Sequence, residues 1–93
     1  MKNLEEARKE IDLIDTKIIE LFEKRMDTVK DVAIYKINNN IPVLDSSREQ
    51  LMLEKNLNKI EKEEYKKYYA LVLEGFLKAS KEMQKEIISK QNK

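Results

Sequence analysis

Apolar residues recur at helical spacing over the first third of the chain, with no glycine or proline between Leu4 and Ile37. They form two series, each spaced by sevens or a multiple of seven: Leu4, Ile11, Ile18 and Val32, and, three places behind, Ala7, Ile14, Leu21 and Tyr35. This heptad-like pattern predicts one amphipathic helix from Leu4 to about Ile37. Such a helix would be about 50 Å long, whereas a compact monomer of this size is about 30 Å across. We therefore expect it to pack against a partner chain.

Two further helices follow a first loop at Asn38–Pro42, where asparagines and a proline interrupt the helical pattern. The second helix begins within residues 45–49, capped either by Asp45 or by a capping box of Ser46 and Glu49. Its apolar positions are Leu51 or Met52, then Leu53 and Leu57, and the apolar pattern ends by Ile60. Residues 61–64 read as a charged turn or as the start of the third helix.

The third helix is predicted from about Lys62 to Ser89. Its stripe consists of Tyr65, Tyr69, Val72, Phe76, Ser80, Met83 and Ile87. Gly75 lies within it at a cost of roughly 1 kcal/mol relative to alanine, which suggests a close helix approach or a local bend. No strand pattern or repeat is present, so the predicted class is all-α with three helices in a single domain, residues 1–93.

Composition narrows the possible chemistry. The net charge of +1 gives no reason to expect a nucleic-acid or membrane partner. The absence of cysteine and histidine removes thiol chemistry, the usual general base and the commonest metal ligand, so we expect neither cofactor nor metal. One glycine and one proline leave no glycine-rich phosphate loop. The charged start is unlike a signal peptide, and the longest apolar run is too short to span a bilayer, which favours a cytoplasmic protein.

Two cations interrupt the apolar face of the first helix. Arg25 occupies a heptad position, and Lys36 lies 11 residues, or about three turns, further on the same face. Each could pair with an acidic residue, snorkel to water or bind an anionic ligand. Arg8 lies 17 residues before Arg25, about 25 Å along the axis. If Arg8 is functional, we expect it to serve a site completed by the other protomer.

Polar residues also lie on the apolar face of the third helix. Ser80 and, one turn later, Gln84 could bond to their own helix or direct neutral hydrogen-bonding groups into a pocket. At the start of the second helix, Asp45 and Glu49 could act as caps while Arg48 pairs with a neighbouring acid. Spacing alone leaves these alternatives open.

Taken in order, these residues resemble the all-α class of chorismate mutases. The resemblance runs from Leu4 to about Ile88 and rests on Arg8, Asp15, Arg25, Lys36, Pro42-Val43, Asp45-x-x-Arg48-Glu49 and Ser80-x-x-x-Gln84. It implies an intertwined homodimer and the rearrangement of chorismate to prephenate in aromatic amino-acid biosynthesis. Asn40 stands where the family often has glycine, a tolerable exchange at a left-handed position.

The resemblance also implies a role for each polar residue. Arg25 and the partner chain's Arg8 would bind the two substrate carboxylates, assisted by Ser80. Lys36 and Gln84 would hydrogen-bond the ether oxygen. Glu49 with Asp45 would hold the ring hydroxyl, and Arg48 would order the carboxylates or reach the substrate. The implied substrate-binding set is Arg8, Arg25, Lys36, Asp45, Arg48, Glu49, Ser80 and Gln84, of which Arg25, Lys36, Glu49 and Gln84 would be catalytic.

Two alternatives remain at this point. An isochorismate pyruvate lyase on the same fold would also break a C–O bond in a related dianion. A helical dimerisation module without activity would explain the heptads and the high charge, but not Arg25, Ser80 and Gln84 on apolar faces. Because the resemblance covers the whole chain, we expect a free-standing enzyme without a regulatory or second catalytic domain.

Overall fold

A computed structural model describes residues 3–91 as three α-helices. Helix α1 runs over Leu4–Asn38, α2 over Ser46–Leu57 and α3 over Lys66–Gln91, with a short 3₁₀ helix at Glu63–Tyr65 before α3. No strand occurs among residues 3–91, which confirms the predicted all-α class. None of the helices in this range combines the length and the apolarity needed to cross a bilayer.

Helix α1 follows its predicted bounds closely. The Asn3 side chain caps it by accepting a 2.8 Å hydrogen bond from the backbone N–H of Glu6. At the other end, the Asn39 N–H bonds to carbonyls of the last turn. Asn40 then adopts a φ of 57°, so the predicted left-handed position is confirmed. A short polar side chain tolerates this conformation better than most, which allows the helix to end without glycine.

Helix α2 begins at Ser46, and Asp45 is its cap. The Asp45 carboxylate accepts 3.1 Å and 2.7 Å hydrogen bonds from the Arg48 N–H and the Ser47 hydroxyl. The alternative capping box is wrong, because Ser46 is already inside the helix and the Glu49 carboxylate forms an ion pair with Lys81 instead. Glu49 is therefore directed away from its own helix start and toward α3.

Helix α3 begins about one turn later than predicted, because the charged segment before it forms the 3₁₀ helix. Its predicted stripe is only partly the packing face. Ser80 is buried and Phe76 is half-buried, but Tyr65 and Val72 are exposed, and the buried Leu73 was not on the stripe. A β-carbon on Gly75 would meet nothing within 4 Å, so the close approach suggested by this glycine does not occur within the described residues of one chain.

The three helices bury little apolar surface against one another. Helix α3 packs on both α1 and α2, and the rings of Phe22 and Phe76 stack with centroids 6.1 Å apart. Among residues 3–91, the buried apolar side chains are Ala33, Val43 and Leu73. The chain is elongated, with extents of 55 × 25 × 15 Å.

The heptad face of α1 is the main apolar surface left uncovered. Apart from Ala7, every residue of the two heptad series is at least 43% exposed. The accessible surface of the chain is 7860 Å², whereas a compact monomer of this mass exposes about 5,700 Å². The single chain is thus open along the seam that the sequence predicted to be a contact surface.

Candidate active site

Arg25 is held by two residues of α3. Its Nη1 donates a 2.7 Å hydrogen bond to Oγ of the buried Ser80, and its guanidinium carbon lies 5.4 Å from the centre of the Phe76 ring. Stacking on Phe22 supports the Phe76 ring in turn. None of the ion pairs among residues 3–91 includes Arg25, so its charge is fixed in place by neutral partners. This arrangement leaves the remaining guanidinium donors available for an anion.

A cleft of about 510 Å³ lies beside Arg25, between α1, α2 and α3. Its lining consists of Leu21, Lys24, Arg25, Thr28, Val29, Val32, Lys36, Arg48, Glu49, Met52 and Leu77. The volume is in the range of small-molecule sites, and apolar walls with a few charged groups are typical of them. Among these lining residues, four cations face one carboxylate, so the charge of the cleft favours an anionic ligand.

Lys36 reaches this cleft from the last turn of α1. It is half-buried, and no ion pair among the described residues includes it. Its charge does act on Asp45, where it contributes to lowering the carboxyl pKa. Arg25 and Lys36 therefore both line one cavity, as their shared helix face predicts, and neither forms an ion pair with a carboxylate of residues 3–91.

Glu49 lines the cleft from the first turn of α2 and is anchored from α3. The Lys81 ammonium lies 2.9 Å from its Oε2. Arg48, its neighbour in sequence, also lines the cleft but is exposed. Helix α2 thus supplies one anion and one cation to a cavity whose other charged groups come from α1.

Asp45 lies outside the cleft lining, at the exposed start of α2. The hydroxyl of Ser47 and the backbone N–H of Arg48 both donate to it and lower the pKa of its carboxyl below the ordinary value of 3.8. Hydrogen bonds to the charged form favour that form, and the Lys36 charge acts in the same direction. In the single chain, Asp45 is a helix cap.

Gln84 and Arg8 also lie outside the cleft lining. Gln84 is half-buried one turn beyond Ser80, and Arg8 is exposed near the start of α1. The cleft therefore brings together Arg25, Lys36, Arg48 and Glu49, with Ser80 behind Arg25. Arg8, Asp45 and Gln84 do not line it in one chain.

Several lining residues were not predicted from the sequence. Lys24 and Thr28 flank Arg25 on α1, while Met52 and Leu77 close the cavity from α2 and α3. Helical spacing could have suggested Thr28, since residues three or four apart lie side by side on a helix. The contact of Lys81 with Glu49 depends on how α2 and α3 pack, and no spacing within either helix signals it.

A second, mainly apolar depression of about 420 Å³ adjoins the first at Arg25. Its lining consists of Ile18, Leu21, Phe22, Arg25, Tyr69, Val72 and Phe76. Ile18 and Leu21 belong to the exposed heptad face of α1. Arg25 therefore stands at the boundary between the charged cleft and the uncovered apolar seam.

Three curated relatives can be compared with this chain by sequence identity. A bifunctional chorismate mutase/prephenate dehydratase of Buchnera aphidicola subsp. Schizaphis graminum is 45% identical over 51 residues, which cover 55% of this chain and 13% of the relative. The protein of the same name from Buchnera aphidicola subsp. Baizongia pistaciae is 36% identical over 87 residues, 91% of this chain and 23% of the relative. A chorismate mutase of Methanocaldococcus jannaschii is 40% identical over 55 residues, 59% of this chain and 56% of the relative.

These matches cover less than two thirds of each relative's own length. The family model of type II chorismate mutase matches residues 7–85, which is well over half of the chain. That range includes every charged residue of the cleft as well as Arg8, Ser80 and Gln84. The chain belongs to the type II chorismate mutase family.

Proposed function

We propose that this chain catalyses the intramolecular rearrangement of chorismate to prephenate, in the biosynthesis of phenylalanine and tyrosine. The observation that carries the proposal is the cleft itself, where Arg25 is held by Ser80 and Phe76 and lies in one cavity with Lys36. A pericyclic shift requires no nucleophile, metal or proton transfer. This suits a cavity whose described lining offers cations, one carboxylate and apolar walls, and we propose no cofactor.

Orientation of the substrate is the first contribution we assign to the cleft. Chorismate is a flexible dianion, and only one of its conformers brings the reacting carbons together. Arg25, assisted by Ser80, would bind one carboxylate, and Arg8 of a partner chain would bind the other. Arg48 would order the carboxylates or reach the substrate. Clamping both carboxylates reduces the entropic part of the barrier. Because Arg25 is already fixed by neutral contacts, little further ordering of its side chain is needed on binding.

Stabilisation of the transition state is the second contribution. The ether oxygen gains negative charge as its bond to the ring breaks, and Lys36 would donate to it. Such donors bind the transition state more tightly than the ground state, which raises kcat. We assign Gln84 as the second donor. Gln84 does not line the cleft of the single chain. Its contact with the ether oxygen would therefore form only when substrate or a partner chain is bound.

The ring hydroxyl would be held by Glu49, which lines the cleft from α2. The resemblance gave Asp45 a share in this contact. Its side chain caps α2 in this structure, and a carboxylate has enough acceptor sites to serve as cap and ligand together. Arg25, Lys36, Glu49 and Gln84 are therefore our proposed catalytic residues.

A second copy of the chain is our proposed partner. The chain exposes about 2,200 Å² more than a compact monomer of its mass, which is in the range buried by each subunit of an obligate homodimer. The uncovered heptad series of α1 is the surface that would supply this contact. In an intertwined dimer, Arg8 of one chain would reach the site of the other. We place the enzyme in the cytoplasm, with residues 1–93 forming one catalytic domain.

The proposal is tested by following the loss of chorismate absorbance with purified protein and identifying the product. Prephenate is the expected product. Pyruvate would point instead to a lyase acting on a related C–O bond, and a folded dimer that neither binds nor converts chorismate would favour a helical dimerisation module.

A further inference from the structure

The ion pair between Lys81 and Glu49 joins two helices that are distant in the sequence. Every other ion pair between two residues of the range 3–91 links side chains three or four positions apart in the sequence. Lys81 directly follows Ser80, so adjacent residues of α3 contact Arg25 on α1 and Glu49 on α2. This pair therefore links the carboxylate of α2 to the part of α3 that also contacts Arg25.

The contact engages only one side of the Glu49 carboxylate. Lys81 Nζ lies 2.9 Å from Oε2, and no donor among the described residues bonds to Oε1. The Glu49 side chain is 20% exposed and lines the cleft, whereas that of Lys81 is 43% exposed and lies outside its lining. A carboxylate held through one oxygen retains acceptor sites on the other for a ligand hydroxyl.

Charge gives the contact a second consequence. Glu49 is the one anion among the described lining residues of a cavity that we propose to receive a dianion. Like charges in a partly desolvated cavity repel, and this repulsion would weaken substrate binding. An ammonium 2.9 Å from the carboxylate offsets that repulsion without occupying space in the cleft.

We propose that Lys81 is a positioning residue, which orients Glu49 toward the substrate hydroxyl and offsets its charge beside a dianionic substrate. This inference rests on the proposed mutase function. Because the hydroxyl contact exists in ground state and transition state alike, its loss should raise KM more than it lowers kcat.

The test compares Lys81→Met with Lys81→Arg in the full chain, using chorismate as substrate. Lys81→Met is expected to raise KM about 3- to 10-fold while kcat stays within about twofold. Lys81→Arg keeps the positive charge, so its KM is expected to stay close to that of wild type. Lys66→Met is the matched control. Lys66 also belongs to α3 and lies 2.9 Å from a carboxylate, that of Glu63, but it is outside the cleft lining.

A double-mutant cycle with Glu49→Gln separates positioning from direct contact. If Lys81 acts through Glu49, the effect of Lys81→Met should largely disappear in the Glu49→Gln background. An equal effect in both backgrounds would overturn the inference, as would a Lys81→Met KM equal to that of wild type. Circular dichroism checks that the variants fold, and Lys81→Gln replaces Lys81→Met if the latter loses helicity. An inactive wild-type protein would contradict the proposed function itself, whereas an active one with unchanged Lys81→Met kinetics would contradict only this inference.

Discussion

Arg25 and Ser80 are 55 residues apart in the sequence, yet Nη1 of the arginine lies 2.7 Å from Oγ of the serine. The bond crosses from α1 to α3 and holds beside a cavity an arginine that forms no ion pair with any residue of the 3–91 range. A cation on an inward helix face is costly unless it is paired or binds an anion. Neutral anchoring by Ser80 and Phe76 is the arrangement expected of a cation reserved for a ligand.

Arg25→Lys tests whether the shape of the cation matters as well as its charge. Lysine keeps the charge but lacks the planar fork that binds a carboxylate through two parallel hydrogen bonds. We expect kcat/KM for chorismate to fall by roughly 10²- to 10³-fold, by analogy with other preorganised donors. Steady-state kinetics of the folded variant measure this change.

Lys30→Ala serves as its control. Lys30 lies on α1 five residues beyond Arg25, is exposed and does not line the cleft. Its removal should leave kcat/KM within about twofold, because screened surface charges contribute little. An Arg25→Lys enzyme as active as the Lys30→Ala enzyme would remove Arg25 from substrate binding.

The sequence predicted α1 well because one physical pattern governs its whole length. Its apolar heptads run without a breaker from Leu4, and the asparagine-rich segment before Pro42 ends them. The start of α3 was predicted too early, since the charged residues of the 3₁₀ helix include no proline or glycine to mark a boundary. The local sequence pattern thus predicts that a segment is helical more reliably than it predicts the first residue of the helix.

Side-chain partners were harder to predict than the helices. Inward placement of Arg25 and Ser80 follows from periodicity, but their mutual contact depends on the packing of α3 against α1. The same is true of Lys81 and Glu49, whose contact depends on the packing of α3 against α2. Leu73 was missed because the stripe was assigned through its neighbour Val72, which is exposed in one chain.

Activity should be nearly independent of pH between about 6 and 9. The chain contains no histidine and no cysteine, so it lacks the side-chain types whose ordinary pKa lies within or close to this window. The rearrangement itself transfers no proton. Measurement of kcat and kcat/KM at half-unit steps checks this expectation, and a bell-shaped profile centred in the window would contradict the assigned roles.

Asp45 should make stability pH-dependent in the acid range. Hydrogen bonds from Ser47 and Arg48 lower the pKa of its carboxyl in the folded chain below 3.8. Its stabilising effect is therefore complete above the unfolded-state pKa and is lost as pH falls through the lower folded-state value. We expect the melting temperature of wild type to exceed that of Asp45→Ala at pH 7, with the difference shrinking below about pH 4.

Asp45→Asn is the matched control, because asparagine caps helices about as well as aspartate. At pH 7 its melting temperature should be close to that of wild type. Below about pH 4 its melting temperature should lack the part of the pH dependence that comes from the Asp45 carboxyl. Its kinetics separate the two roles of the residue, since a well-folded Asp45→Asn enzyme with raised KM would indicate that the charge also serves the substrate. An Asp45→Ala melting temperature equal to that of wild type would contradict the cap.

Arg8 and Arg25 are expected to complement each other across the proposed dimer. Arg8→Ala and Arg25→Ala should each be nearly inactive, yet a heterodimer of the two contains one intact site. Refolding an equal mixture from denaturant should therefore recover about a quarter of wild-type activity, since half of the dimers are mixed and each has one working site of two. Sedimentation confirms dimers in each sample, and no recovery from a dimeric mixture would contradict the shared site.

Prephenate formation by the wild-type chain, compared with Lys36→Ala, tests the central claim most directly. Both folded proteins are mixed with chorismate, and the product is identified and quantified over time. We predict that wild type converts chorismate to one equivalent of prephenate, and that Lys36→Ala lowers kcat by roughly 10²- to 10³-fold through loss of a transition-state donor. No prephenate from a folded wild-type dimer, or equal rates from the two proteins, would contradict the account.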